Sequence, residues 1–263
     1  MWGDSTKAEY VNRLMNEKLA DMCLTDPPYN VNYEGSNGLK IQNDNMTDDI
    51  FYQFLFDYYT QMRESLIPGG AFYIFHADGS GGAFRKALID AGLDLRQTLI
   101  WVKNTIVMGR QDYQWQHEPI LYGWKNGAGH YFANDRTQPT VIEDGKINPN
   151  KMSKEQMKKI IKELQADQYN TTVIHEDKPT KNDVHPTMKP LKLCGRLIKN
   201  SSKENDIVVD FFGGSGSTMM ACDQLNRVCY TMEYDPKYVD VIIDRWEKMT
   251  GNTAVFIQNI NDK

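Results

Sequence analysis

The sequence predicts an α/β fold, a doubly wound and mostly parallel sheet with a small irregular insertion. Three observations carry this. Candidate strands and helices alternate through both ends of the chain. The strand-like "DIVVD" runs straight into the glycine-rich "FFGGSGST" and a helix start. The strand after that helix ends on an acid, Glu233, 17 residues beyond Gly216.

Taken in order, Thr6 to Asn16 suits a short helix, and Ala20 to Thr25 a strand that the prolines after it must end. "TDDIFYQFLFDYYTQMRESL" places apolar residues at helical spacing behind an N-cap candidate, Thr47. "PGG" at Pro68 to Gly70 reads as a turn, and "AFYIF" after it as a strand. "GGAFRKALIDAG" reads as a helix closed by Gly92, and "LDLRQTLIWVK" and "EPILYGWK" as two strands. Between these two lies "NTIVMGRQDYQWQH", a long loop. Residues 126–183 lose the rhythm and hold one basic amphipathic helix, "SKEQMKKIIKELQ". Alternation then returns: a helix from Leu191, the strand "DIVVD", a helix from Ser217, the strand "VCYTME" and a helix from Pro236. The organisation is therefore 1–125, an insertion at 126–183, and 184–263.

Composition narrows the class. Hydrophobic residues at 40% and charged residues at 25% are ordinary for a soluble domain, and no apolar run approaches the roughly 20 residues that cross a bilayer. The polar N-terminus is no signal peptide. Cys23, Cys194, Cys222 and Cys229 form no C-x-x-C pair and sit in mostly apolar runs, so buried free thiols are expected and a metal site is not. The net charge of −5 argues against a polyanionic partner, but its distribution does not. Residues 146–204 carry thirteen Lys and Arg against seven Asp and Glu, which leaves −11 on the remainder. A basic segment on an acidic body is where a polyanion would dock. In the insertion helix Lys151, Lys154 and Lys158 share a face suited to phosphates. Arg110, Gln111 and Gln114 of the long loop could reach base edges.

Two motifs carry chemistry. The glycine turn lets a ligand approach the backbone closely and offers helix N–H groups to an anionic group. It has no lysine after it, so it is no phosphate-cradling P-loop. Glu233 is placed to accept from the two ribose hydroxyls of a nucleoside cofactor. "LTDPPYN" ends the other strand. Its prolines lack N–H groups, so the tip offers acceptors only, the Asp26 carboxylate and the Pro27 carbonyl. That suits an exocyclic amine, whose lone pair is otherwise delocalised into its ring. Tyr29 supplies a face for stacking a flipped base. His76 reads as a loop residue near this pocket rather than an acid–base group, and His117 is not assigned to the base.

"DPPY", then "HPTMKP", then "DFFGGSGST" together resemble the S-adenosylmethionine-dependent amino-methyltransferases of DNA. The order, catalytic motif before cofactor motif, is that of their circularly permuted β group. "GDST" at Gly3 to Thr6, "LIPGGAFYIFHAD", "WVKN" and "HEPILYGWK" extend the resemblance over nearly the whole chain, which is most similar to phage and prophage DNA modification methylases. The resemblance implies a Rossmann-like methyltransferase fold, S-adenosylmethionine as cofactor, double-stranded DNA as partner, and no metal. Asp26, Pro27, Pro28 and Tyr29 would form the catalytic site. Phe212, Gly214, Gly216 and Ser217 would line the methionine part of the cofactor, with Asp210 and Ser215 in the same turn. His185, Thr187 and Lys189 would close over that part, Lys189 near its carboxylate. Glu233 would take the ribose and Asp4 the adenine amino group. Residues 126–183 would read the target. Phe211 stands where the family usually has proline. The family's cytosine-amino enzymes more often begin the motif with serine, so "DPPY" favours adenine. A catalytically idle DNA-binding subunit is the rival reading, and the intact motifs count against it. The resemblance further allows a homodimer, a ParB-like domain ahead of Met1, and a cytoplasmic setting in a bacterium or phage-infected cell.

Overall fold

β1 (Ala20–Thr25) lies inside the sheet, with every residue buried except the half-buried Asp21. The computed structural model describes residues 1–32, 44–107, 112–133, 136–143 and 188–257. Within them, β2 (Leu66–Phe75) runs parallel to β1 on one side and β6 (Ile207–Asp210) on the other. β7 (Val228–Thr231) extends that side. On the far side come β4 (Trp115–Trp124), β3 (Asp94–Val107) and β5 (Val141–Glu143), giving the order β5-β3-β4-β2-β1-β6-β7. Only β4 runs against the others. The carboxyl ends of β1, β2, β3, β6 and β7 therefore meet at one edge, together with the amino end of β4. In such sheets that edge is where ligands bind.

Side chains alternate across the strands and load both faces. Cys23, Phe72 and Ile74 pack beneath α1 (Ala8–Met15), α2 (Asp48–Ser65) and α3 (Gly81–Asp90), against Val11, Phe51, Leu55, Tyr58 and Phe84. Met22, Leu24, Tyr73, Phe75 and Ile120 face the other way. They meet Leu193, Leu197 and Ile198 of α4 (Leu191–Ser201) and Ala221 of α5 (Ser217–Gln224). α6 (Pro236–Thr250) begins at Asp235, whose side chain accepts from the Lys237 N–H, with Pro236 in the first turn. No described helix is long and apolar enough to cross a membrane.

Three expectations change. "PGG" is part of β2 rather than a turn before it. Gly69 takes φ +82° and the β1–β2 register slips between Ala20 and Met22, so the three residues form a bulge. The loop between β3 and β4 is shorter than expected, because Asn104–Val107 and Trp115–His117 extend the two strands past the sheet edge as a ribbon. The insertion contributes β5, and the Ala133 N–H donates to the Asn200 carbonyl at 2.8 Å, fastening it to α4. The expected helix of residues 153–165 lies outside the described residues. Thr47 does occupy the N-cap of α2, but with its carbonyl, which accepts from the Phe51 N–H at 2.8 Å, not with its hydroxyl.

Gly123 shows how tightly the middle of the sheet is built. A Cβ there would lie 2.0 Å from the Asp94 carbonyl oxygen and 2.6 Å from Cζ of Phe72. Gly123→Ala should cost about 3 kcal/mol, the upper end for overpacking. Urea unfolding should show a lower midpoint with an unchanged slope.

Candidate active site

The "DPPY" tip and the glycine turn are joined directly. Thr25, the last residue of β1, donates its hydroxyl to Oδ1 of Asp210, the last residue of β6, at 2.8 Å. The same oxygen accepts from the Phe212 N–H at 3.1 Å, which folds the chain into the turn. Burial raises the Asp210 carboxyl to about 6, although the donors from Thr25, Thr218 and Phe212 pull the other way. Phe211 and Phe212 pack edge-on against Tyr58 with ring centroids 5.8 and 4.9 Å away, so an aromatic side chain is accommodated where proline was expected.

The turn closes on β7 and on the N-terminal stretch. Gly213 donates to the Met232 carbonyl at 2.8 Å, and a Cβ on it would lie 2.6 Å from Oγ1 of Thr231. Gly216 caps α5 at φ +81°, a conformation that side chains resist. The two Glu233 oxygens accept from the N–H groups of Gly214 at 2.7 Å and Asp235 at 2.9 Å. Burial nevertheless holds this carboxyl above its ordinary range. Trp2 bridges Glu233 as a short parallel pairing, with the Gly3 N–H on the Glu233 carbonyl at 3.0 Å. This brings Asp4 beside Glu233, and Oδ1 of Asp4 accepts from the Thr6 N–H and hydroxyl at 2.9 and 2.8 Å. Ser215 and Ser217 are buried, with hydroxyls 3.3 Å apart.

At the tip itself the structure adds groups that the motifs did not place there. Lys189 Nζ lies 2.5 Å from Oδ2 of Asp26 and 3.3 Å from Oε2 of Glu118. The resemblance implied Lys189 near the cofactor's carboxylate; here its ammonium stands on Asp26. The Tyr29 hydroxyl donates to Oδ1 of Asp26 and reaches Oε2 of Glu118 at 3.3 Å. Lys103 holds the other Glu118 oxygen at 2.5 Å. Two carboxylates and two ammonium groups thus balance in a largely buried cluster, as buried charges must. Burial is the largest influence on Asp26 and raises its carboxyl, with Lys189 opposing and Glu118 adding. Burial also opposes the Glu118 charge, but the two lysines outweigh it and hold that carboxyl low. Glu118 was missed by sequence reasoning. Its one signal is an acid inside the otherwise apolar strand "EPILYGW". His76 is buried just past β2, its ring tilted against Phe84 with centroids 5.3 Å apart, and neither ring nitrogen is paired among the described residues. Burial lowers it to about 4, so it is a neutral packing residue.

Residues 20–244 match the DNA methylase family, the N6/N4 amino-methyltransferases. The chain belongs to this DNA methylase family. Among curated relatives, the Type II methyltransferase M.HpaI of Haemophilus parainfluenzae is 25% identical over 88% of this chain and 69% of its own length. Among solved structures, the M1.HpyAVI–SAM complex superposes with a TM-score of 0.65 at 21% identity, covering 93% of this chain and 97% of that one. The PvuII cytosine-N4-specific DNA methyltransferase gives 0.63 at 15% identity over 98% and 86%. These likenesses bear out the Rossmann-like fold. The family's methyl donor is S-adenosylmethionine. Within this methylase, Asp26, Pro27, Pro28, Tyr29, Lys189, Asp210, Phe212, Gly214, Ser215, Gly216, Ser217, Glu233 and Asp4 all gather at the one sheet edge. Gln114 is half-buried just ahead of β4. His185, Thr187, Lys151, Lys154, Lys158, Arg110 and Gln111 lie outside the described residues.

Asp210 should make the methylase's stability depend on pH. Its folded carboxyl titrates at about 6, against about 3.9 for an unperturbed aspartate. Between those values the folded state holds the extra proton, so stability falls as pH rises through that window, by at most about 3 kcal/mol. Asp210→Asn keeps an oxygen for Thr25 and Phe212 and removes the charge. It should be about 2–3 kcal/mol more stable than the parent at pH 7 and equal to it near pH 4. Urea unfolding at both pH values checks this.

Proposed function

We propose that this chain methylates DNA at the exocyclic amino nitrogen of adenine. The observation that carries the proposal is the acceptor-only tip at the end of β1, hydrogen-bonded through Thr25 to the glycine turn. The turn's residues fit S-adenosylmethionine. At Gly213 and Gly216 a Cβ would run into Thr231 and Ile242, so glycine lets the turn pack close against β7 and α6 and keeps its outer backbone bare for the cofactor. Glu233 offers acceptor lone pairs to a ribose, and the buried Thr231 hydroxyl has no partner among the described residues. Bound there, S-adenosylmethionine supplies a methyl group already activated by its sulfonium.

The chain's own work is then positioning. Asp26 and the Pro27 carbonyl accept the two amino hydrogens and draw the nitrogen towards tetrahedral geometry, which frees its lone pair. The Tyr29 ring, edge-on to Phe84 with centroids 6.4 Å apart, stacks the base. Stacking returns about 1–3 kcal/mol towards the few kcal/mol that flipping costs. The nitrogen gains one methyl carbon and one positive charge, and gives up one proton to Asp26 or to water. No cysteine is needed, because the attacking atom is an amine and not a ring carbon. Residues 126–183, with the lysines of the 153–165 segment, are assigned to the target DNA. Adenine is favoured over cytosine by the aspartate that opens "DPPY".

Mass spectrometry of nucleosides from the DNA of cells expressing the chain tests this. N6-methyladenine is expected with the wild type and none above background with Asp26→Ala. N4-methylcytosine in its place would overturn the choice of base. No methylated nucleoside at all would overturn the function.

A further inference from the structure

The Asp26 carboxylate is occupied before any substrate arrives: Tyr29 holds Oδ1 and Lys189 holds Oδ2. If the proposed function is right, this arrangement conflicts with the reaction. The attacking nitrogen becomes cationic as it is methylated, so an ammonium on the same carboxylate would repel it where charge develops. Lys189 has to leave Asp26, yet its side chain is only 8% exposed, and an unpaired buried ammonium is costly. Glu118 resolves the conflict. Its Oε2 is already 3.3 Å from the same Nζ. Its Oε1 is pinned by Lys103, which fixes the direction in which Oε2 points. The extension of β4 past the sheet edge, beyond the Ile120–Phe75 pair, carries Glu118 to this position.

We propose that Glu118 is a positioning residue for methyl transfer, the acceptor that takes the Lys189 ammonium when the target amine replaces Lys189 on Asp26. The inference rests on the function proposed above. In the free enzyme Asp26 is faced by Tyr29 from its own loop, Lys189 ahead of α4, Glu118 on β4 with Lys103 of β3 behind it, Asp210 at the end of β6 and Cys194 on α4. Removing the Glu118 charge should make Asp26 easier to ionise and leave Lys189 wholly on it. Removing Lys189 should make Asp26 harder to ionise.

The test is kcat/KM against pH for wild type, Glu118→Gln, Lys189→Met and the double variant, with tritiated S-adenosylmethionine and unmethylated DNA. The acid limb reports the ionisation of the free enzyme. For Glu118→Gln it should move to lower pH while the plateau drops by about a hundredfold, the usual scale of a misplaced group. For Lys189→Met it should move to higher pH. The double variant's plateau should lie no lower than that of Lys189→Met alone, because Glu118 acts through Lys189. An unmoved acid limb in Glu118→Gln, or plateau losses that multiply in the double variant, overturns the proposal. Glu118→Asp covers the case of a misfolded Gln variant. It keeps the charge but draws the carboxylate back, so the acid limb should stay in place while the plateau falls; a full-rate Glu118→Asp overturns the proposal. A wild type that labels no DNA overturns the proposed function instead, and this inference with it.

Discussion

The hydrogen bond from Thr25 to Asp210 spans 185 residues of sequence, and the geometry of the site depends on it. The parallel register of β1 with β6 brings the two strand ends level, and the bond then fixes the "DPPY" tip against the glycine turn. Two reactants that must meet in line need their holders set to a fraction of an ångström. A contact between the final residues of two adjacent buried strands provides that rigidity better than any loop could. The permuted order of motifs matters little once the sheet forms, because neighbours in the sheet are set by strand pairing and not by sequence distance.

The same edge concentrates charge that works against stability. Asp210 is buried and titrates near 6. Asp26 and Glu118 share a dry cluster with Lys189 and Lys103. Apolar residues of the same size would satisfy the fold at least as well. Buried acids at this edge suit the cationic reactant of the proposed function: fixed negative charge that is ready before the reaction. Lys189 and Lys103 neutralise that charge and keep the cluster intact; in the proposed reaction a substrate amine takes the place of Lys189 on Asp26.

Much of this was legible in the sequence. β1, β6, the start of α5 and the Glu233 acid follow from apolar runs ended by Pro or Gly, and those signals are local. The roles expected of "DPPY" and "GGSGST" came from motif chemistry and from the family resemblance, and the structure brings both motifs to one sheet edge. What was not legible depends on contacts across the sheet. Lys189 sits ahead of a helix and could face either the cofactor or the base; only the packing of α4 beside β1 turns it to Asp26. Glu118 looks like an ordinary strand acid until β4 is seen to overrun the edge and bury it. "PGG" has turn chemistry, and only its pairing to β1 and to Lys125 makes it a bulge within a strand.

The central claim is a division of labour at one edge, with the glycine turn and Glu233 holding the methyl donor and Asp26 holding the amine. Calorimetric titration of S-adenosylmethionine into the wild type, Glu233→Gln and Asp26→Ala tests it most directly. Loss of the charged acceptor at 233 should weaken binding by about 1–3 kcal/mol, while Asp26→Ala should stay within several-fold of the wild type. Unchanged affinity in Glu233→Gln, or an equal loss in both variants, would contradict the account.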